Sequence, residues 1–209
     1  MPRYGGRQDA WEQANLDTFP KAWARFLVRV DNWDDSRDLA AAERLHSADW
    51  TRFLFTTMGL TPPANDEECA LIGEAVDRWI NPQIVTLFPG VEETVSFLAT
   101  RYRLFTASDG FSTPLGETLR PIAGAFERLY GPDLVNVPKS AGRPYYDAVF
   151  AHAQVDPSRA LVLDDNLSNI ESAHETGAIT IYVKAEPDPG YRGRRIGSFA
   201  QLPQIIEAL

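Results

Sequence analysis

The stretch Leu161-Val162-Leu163-Asp164-Asp165-Asn166 decides the fold. Three successive apolar residues ending in two adjacent carboxylates read as a buried strand. Ser168-Asn169-Ile170-Glu171 and Thr176-Gly177-Ala178 then supply a helix and its close. A strand without polar alternation that runs straight into a helix belongs to a parallel sheet covered on both faces. Such sheets build ligand sites at the carboxyl ends of their strands. Two carboxylates there suit a hard cation such as Mg2+, which takes oxygen ligands. Alternatively, Asp165 or Asn166 caps the following helix, a role both residue types favour.

Other apolar runs upstream also end in polar groups. Tyr102 to Ala107 stops at Ser108-Asp109-Gly110, where a hydroxyl and a glycine turn suit an anionic oxygen. Leu134 to Val137 stops at Pro138-Lys139, with Arg143 and Pro144 just beyond. Each has an ordinary reading on its own, since Ser before a glycine turn is common and a loop Lys is usually solvated. The order of hydroxyl, cation and Asp-Asp at the ends of successive strands is much harder to obtain by accident.

That order resembles the haloacid dehalogenase-like (HAD) superfamily, which consists largely of phosphatases. The similarity covers Leu87 to Val183. It includes Phe88-Pro89-Gly90-Val91-Glu92-Glu93, Tyr102 through Gly110, Val155-Asp156-Pro157, and Leu163-Asp164-Asp165-Asn166 with Asn169-Ile170. The resemblance implies an α/β protein, a three-layer Rossmann-like parallel sheet core over residues 87–209 with an N-terminal all-helical cap over residues 1–86. It implies that Ser108, with Asp109 beside it, contacts the transferred phosphoryl group and that Lys139 or Arg143 offsets its charge. Asp164 and Asp165 would serve Mg2+, and the partner would be a small phosphorylated metabolite.

One landmark of the family is not found. Its members open with an apolar strand leading into Asp-x-Asp-x-Thr, whose first Asp attacks phosphorus and whose second is general acid and base. This chain opens Met1-Pro2-Arg3-Tyr4-Gly5-Gly6-Arg7-Gln8-Asp9-Ala10-Trp11-Glu12. No strand pattern precedes Asp9, and an alignment on Trp11-Glu12 puts Gly5 and Arg7 where the two aspartates would fall. Phe26 to Asp31 is an apolar run ending in an acid, yet Trp23, Phe26, Leu27 and Val30 have helical spacing. Asn15-Leu16-Asp17-Thr18 bears only a faint likeness.

In the family that first strand lies between the strands ending at Ser108 and at Asp164. Without it both would show unpaired edges. The expectation is that upstream residues supply it, or that another segment or subunit takes its place. Two functions follow: a Mg2+-dependent hydrolase of small phosphorylated metabolites, if a nucleophile is supplied, or a non-catalytic phosphate-binding or interaction protein.

Composition sets outer limits. With 209 residues and 44% hydrophobic positions, the chain can bury one sizeable core and a small accessory domain. A net charge of -9 disfavours nucleic acid and anionic membranes as partners. Cys69 is the only cysteine, which leaves no intrachain disulfide framework. His46, His152 and His174 lack ligand spacing, and the protein is expected in the cytoplasm.

All five tryptophans (Trp11, Trp23, Trp33, Trp50, Trp79) precede residue 80. That region reads as amphipathic helices: Trp50, Phe53, Leu54 and Met58 in one, and Leu71, Ile72, Ala75, Val76 and Trp79 in another that Asn81-Pro82 should break. After residue 87, helices and strands alternate. Ile179 to Val183 reads as the last strand, Glu186-Pro187-Asp188-Pro189-Gly190 with Arg192, Arg194 and Arg195 as solvated loop, and Ser198 to Leu209 as a closing helix.

Overall fold

The structure is a computed structural model that describes residues 5–31, 38–84, 87–186 and 190–208, without the side chains of Asp31, Asp77 and residues 79–84. Trp33 and the Trp79 side chain therefore lie outside the described residues. The chain divides into two compact units, Met1–Ile84 and Val85–Leu209. Among the described residues, no helix is long and apolar enough to cross a membrane.

The first unit is three helices, α1 (Gln8–Asp31), α2 (Leu39–Thr57) and α3 (Asp66–Ile84). Phe26 and Val30 of α1 are buried, as helical spacing requires of them, with Trp50, Leu54 and Phe55 of α2. Asp38 caps α2 by accepting from the Ala40 N–H at 2.9 Å, and Asn65 accepts from Glu68 N–H at 2.7 Å at the start of α3. The α2–α3 contact is tight enough that a Cβ on Gly73 would lie 2.7 Å from the Ser47 carbonyl oxygen.

Two details of this unit differ from the sequence reading. Leu71 is exposed while Cys69, Ala70 and Ile72 are buried, so the packed face of α3 is set toward its small residues. The helix also runs past Asn81-Pro82 to Ile84. Pro82 forfeits a bond to the Arg78 carbonyl in the last turn, where little helix remains to be disrupted.

His46 lies in an aromatic pocket, with ring centroids 5.4 Å from Phe26, 5.6 Å from Trp23 and 6.0 Å from Phe19, and Nδ1 is 3.3 Å from the Ala22 carbonyl oxygen. Burial lowers its pKa below the ordinary 6.5.

The second unit carries α4 (Val91–Ala99), α5 (Ser112–Thr118), α6 (Pro132–Val135), α7 (Arg143–Ala153), α8 (Leu167–His174) and α9 (Leu202–Ile206), with strands β1 (Leu161–Asp164), β2 (Ile179–Val183) and β3 (Arg195–Ile196). The strands form a parallel sheet in the order β1-β2-β3, with Leu163 opposite Ile181 and Val183 opposite Ile196. Residues 104–108 are extended and pair with residues 127–130 through a parallel bridge at Phe105 and Arg128.

Side-chain alternation sorts this layer into two faces. Phe105, Ala107 and Val162 pack with Tyr145, Tyr146 and Val149 of α7 and Ala173 of α8. Leu104, Leu161 and Leu163 pack with Phe97 and Leu98 of α4 and Leu202 of α9. Helices therefore cover both faces, giving the three-layer α/β core.

The structure corrects three sequence-level expectations here. Leu134 to Val137 is not a strand, because Pro132 at the first helical position and Asp133 in the first turn start α6, and Asn136 ends it at φ 53°. Residues 127–130 supply the extended segment instead. Arg195 is not in a solvated loop: it opens β3, and its guanidinium donates to the carbonyls of Lys184 and Ala185. The chain thus has a strand after Ile179–Val183, and the closing helix is shorter than residues 198–209, with a 3-10 turn at Phe199–Gln201 preceding α9.

Two stability predictions follow. Ile181 is fully buried in β2, so Ile181→Ala is expected to cost about 3 kcal/mol, measured by urea unfolding followed by circular dichroism. Because His46 is held below its unfolded pKa, the unfolded chain binds the extra proton first, and stability falls as pH drops below 6.5. Tryptophan emission should report an acid-induced drop in the unfolding midpoint that is reduced in His46→Gln.

Candidate active site

The site is assembled at the carboxyl ends of the extended segments of the α/β unit. Its centre is the Lys139 ammonium, which donates to the Asp164 carboxylate (Nζ–Oδ2, 2.7 Å) and to the Ala107 carbonyl oxygen (2.7 Å). Both side chains are almost fully buried, at 6% and 8% exposure. Lys139 reaches this point because it begins a one-turn 3-10 helix, Lys139–Ala141, between α6 and α7. Asp164 reaches it as the last residue of β1.

A buried carboxylate must have its lone pairs met. The other oxygen of Asp164 accepts from the Asn166 backbone N–H at 2.8 Å and from Asn169 Nδ2 at 3.2 Å. Asn166 in turn caps α8, accepting from Ser168 N–H at 2.9 Å. The helix cap expected of Asp165 or Asn166 is therefore Asn166.

Ser108 follows Ala107 directly. Its hydroxyl oxygen accepts from Gly110 N–H at 2.9 Å, which leaves the hydroxyl proton to donate elsewhere. Its carbonyl accepts from the Tyr145 hydroxyl at 3.2 Å. The turn is pinned from below, where Ser112 N–H and hydroxyl both donate to Asp133. Gly131 is required there because a Cβ would lie 2.4 Å from the Gly110 carbonyl oxygen.

Tyr145 and Tyr146 pack edge to face, with centroids 5.4 Å apart. Burial pushes both phenols well above the ordinary range, and the nearby carboxylates of Asp109 and Asp164 add to the effect. The Tyr146 hydroxyl is buried without a hydrogen-bond partner among the described residues.

The sequence-derived candidates thus separate. Lys139, Asp164 and the Ser108 turn come together. Asp109 and Asp165 are exposed. Arg143 turns to Asp147 along α7, Nε to Oδ2 at 3.2 Å, with both side chains about half exposed. Of the two cations, Lys139 occupies the corner. Sequence reasoning did not single out Tyr145 or Tyr146, because two tyrosines in an apolar helix stripe look like core. Only their position at the start of α7, six and seven residues after Lys139, links them to the site.

Mg2+ is commonly held by one or two carboxylates together with water and substrate oxygens. Asp164 already receives an ammonium and two N–H donors, which leaves Asp165 as a single exposed carboxylate. Among the described residues, no three His, Cys, Asp or Glu side chains group as a metal site.

An extended sheet covered by helices on both faces, with a hydroxyl, a buried lysine and an aspartate at its carboxyl edge, defines a HAD-type core. Residues 9–177 match the family of haloacid dehalogenase-like hydrolases, and the chain belongs to that family. Solved structures of similar fold include the defluorinating L-2-haloacid dehalogenase Rha0230, with 14% identity over 93% of this chain and 80% of that one and a TM-score of 0.65. Another is a HAD phosphatase from Thermococcus onnurineus, with 20% identity, coverage of 94% and 91%, and a TM-score of 0.56. A third is the putative HAD hydrolase YfnB from Bacillus subtilis, bound to magnesium, with 16% identity, coverage of 98% and 86%, and a TM-score of 0.62. At these identities the likeness is one of fold. No curated protein matches the sequence.

Removing one partner of the buried pair should be costly, because the other charge is stranded. Lys139→Met is expected to destabilise by about 4 kcal/mol, with much of the loss recovered when Asp164→Leu is added. A double-mutant cycle in urea measures this. The raised phenol pKa values have an alkaline counterpart. Their contribution is complete below about pH 10, the unfolded tyrosine value, and declines above it. Absorbance at 295 nm should show Tyr145 and Tyr146 ionising only as the unit unfolds, and Tyr146→Phe should remove one late-titrating group.

Proposed function

We propose that the α/β unit binds a small phosphorylated metabolite at the corner formed by Ser108 and Lys139, and that residues 1–209 hold this ligand without hydrolysing it. The observation that carries the reading is the commitment of Asp164 to Lys139. Family chemistry of the aspartyl-ester kind needs a carboxylate that can attack. Among the described residues of the corner, the buried carboxylate, Asp164, is held by an ammonium and two N–H donors, while Asp109 and Asp165 face solvent.

Binding asks for less. The ammonium has three donors and uses two on Ala107 and Asp164. The Ser108 hydroxyl keeps its proton, and a phosphate oxygen accepts from both kinds of group. The backbone N–H groups of Ser108 and Gly110 are already bonded, to the Tyr130 carbonyl and the Ser108 hydroxyl oxygen, so the donors offered to the ligand are side chains. Asp109, being exposed and negative, limits how strongly a dianion is held.

The second reading is hydrolysis, and membership of a hydrolase family favours it. In this reading a carboxylate from outside the described corner attacks the substrate, Ser108 and Lys139 offset the developing charge, and Asp165 is left as the carboxylate able to meet Mg2+. Members of the family commonly use that ion. The structural neighbours named dehalogenases support including a 2-haloacid among the test substrates. A working location in the cytoplasm accompanies either reading.

Calorimetric titration with inorganic phosphate is expected to show binding that weakens about tenfold in Ser108→Ala, as befits one lost hydrogen bond to a charged group. Hydrolysis of p-nitrophenyl phosphate with Mg2+ and chloride release from 2-chloropropionate are both expected at background. Turnover above background that disappears in Ser108→Ala would instead establish the hydrolytic reading. Thermal unfolding with and without Mg2+ should be unchanged, and a Mg2+ shift abolished by Asp165→Asn would return that carboxylate to metal binding.

A further inference from the structure

The turn at residues 108–110 leaves one charge unanswered. Ser108 N–H is spent on the Tyr130 carbonyl at 3.1 Å, Gly110 N–H on the Ser108 hydroxyl oxygen at 2.9 Å, and the Ser112 N–H and hydroxyl on Asp133. The Tyr145 hydroxyl donates to the Ser108 carbonyl at 3.2 Å, and the Lys139 ammonium to the Ala107 carbonyl and to Asp164. Asp109 receives none of these. Among the described residues its carboxylate has no hydrogen bond and no ion pair, and it is exposed.

An exposed Asp without a partner is ordinary on a protein surface. Position sets this one apart. It directly follows Ser108 at the end of the extended segment 104–108, so it borders the donors of the corner. Its charge reaches the same place: after burial, Asp109 is the leading cause of the raised pKa of Tyr145, ahead of Asp133 and Asp164, and it acts on Tyr146 as well.

The corner therefore has a charge order. Its centre is donor-rich, with the third N–H of Lys139 and the hydroxyl proton of Ser108. Its rim is acidic. A bare phosphate dianion meets the donors and the repulsion of Asp109 together. A ligand with an anionic end and a cationic group close to it meets both with the right sign. A hydroxyl in the place of that cation would also donate to Asp109, but hydrogen bonds between charged partners are roughly twice as strong as neutral ones. The complement is a phosphate ester of an amine.

We propose that Asp109 is a specificity-determining residue that selects phosphate monoesters carrying an ammonium group a few bonds from phosphorus, with the phosphate at Ser108 and Lys139 and the ammonium at the Asp109 carboxylate. The inference rests on the phosphate-binding reading above and adds the chemical class of the ligand. The discrimination is modest, because both charges stay in contact with water, where an ion pair is worth little: about threefold in Kd.

Calorimetric titration of the full chain at about pH 8, where a phosphate monoester is a dianion and a primary amine an ammonium, tests this. It compares O-phosphoethanolamine with 2-hydroxyethyl phosphate, the same skeleton with a hydroxyl in place of the ammonium. The amine ester is expected to bind about threefold tighter. Asp109→Asn should bring the two esters to equal affinity, chiefly by strengthening the hydroxyl ester. Glu175→Gln, an equal change of net charge at the far end of α8, should keep the preference. Glycerophosphoethanolamine, a diester with the same ammonium, represents a lipid headgroup and should bind more weakly than the monoester. The proposal is overturned if the native chain holds the amine and hydroxyl esters equally, or if Asp109→Asn keeps the preference. It is also overturned if Glu175→Gln abolishes the preference, or if the diester binds as well as the monoester. Inorganic phosphate separates the two levels of the reading. If it binds and the preference is absent, only the Asp109 assignment falls; if neither phosphate nor any ester binds, the phosphate-binding reading falls and this one with it.

Discussion

The buried pair of Lys139 and Asp164 is the constraint on which the α/β unit turns. It lies where three separate stretches of chain end: the extended segment reaching Ala107, the 3-10 turn before α7, and the junction of β1 with α8. Neither charge is tolerable alone at such depth, so the position of one dictates that of the other. A buried ion pair of this kind is weak evidence for stability, because an apolar pair of similar volume often does as well. What it does here is fix direction. Lys139 can satisfy both acceptors only if the two carboxyl edges stay at one distance, and Asn166 and Asn169 hold Asp164 in the rotamer that meets it.

The same pair governs chemistry. A carboxylate ringed by an ammonium and two amides is turned away from other work. The corner is therefore rich in unspent donors, from Lys139, Ser108 and Tyr146, and poor in available acceptors. An environment of that sign favours an anionic visitor, whether phosphate or carboxylate, over a cation. Asp109 and Asp165 qualify this from the rim, where solvent screens them.

Much of this architecture was legible in the chain, and the reasons differ by element. Leu161-Val162-Leu163 had no polar alternation, which fits only a strand with both faces covered, and α7 and α4 do cover them. Helical spacing assigned Phe26 and Val30 correctly, because a period of 3.6 is visible without tertiary context. The segment at residues 127–130 was not legible: Glu127 and Arg128 look like surface, and their strand character comes from pairing with Leu104 and Thr106 across more than twenty residues. Leu134 to Val137 misled for the opposite reason, since four apolar-looking positions outweighed the local instruction from Pro132 and Asp133. Arg195 was hidden by its arginine-rich neighbours, although β2 needed a partner on that side.

Asp164 and Asp165 show where reading residues in order stops being enough. Adjacent in sequence and identical in kind, they invite treatment as one bidentate group. Successive residues of a strand point to opposite sides, however, and β1 ends at the first of them. Asp164 inherits the strand's direction and is buried against Lys139, while Asp165 enters the turn before α8 and is exposed. A motif of two carboxylates is thus, in three dimensions, one structural anion and one solvated one. Which of the two can serve a ligand depends on the lysine twenty-five residues upstream rather than on the motif itself.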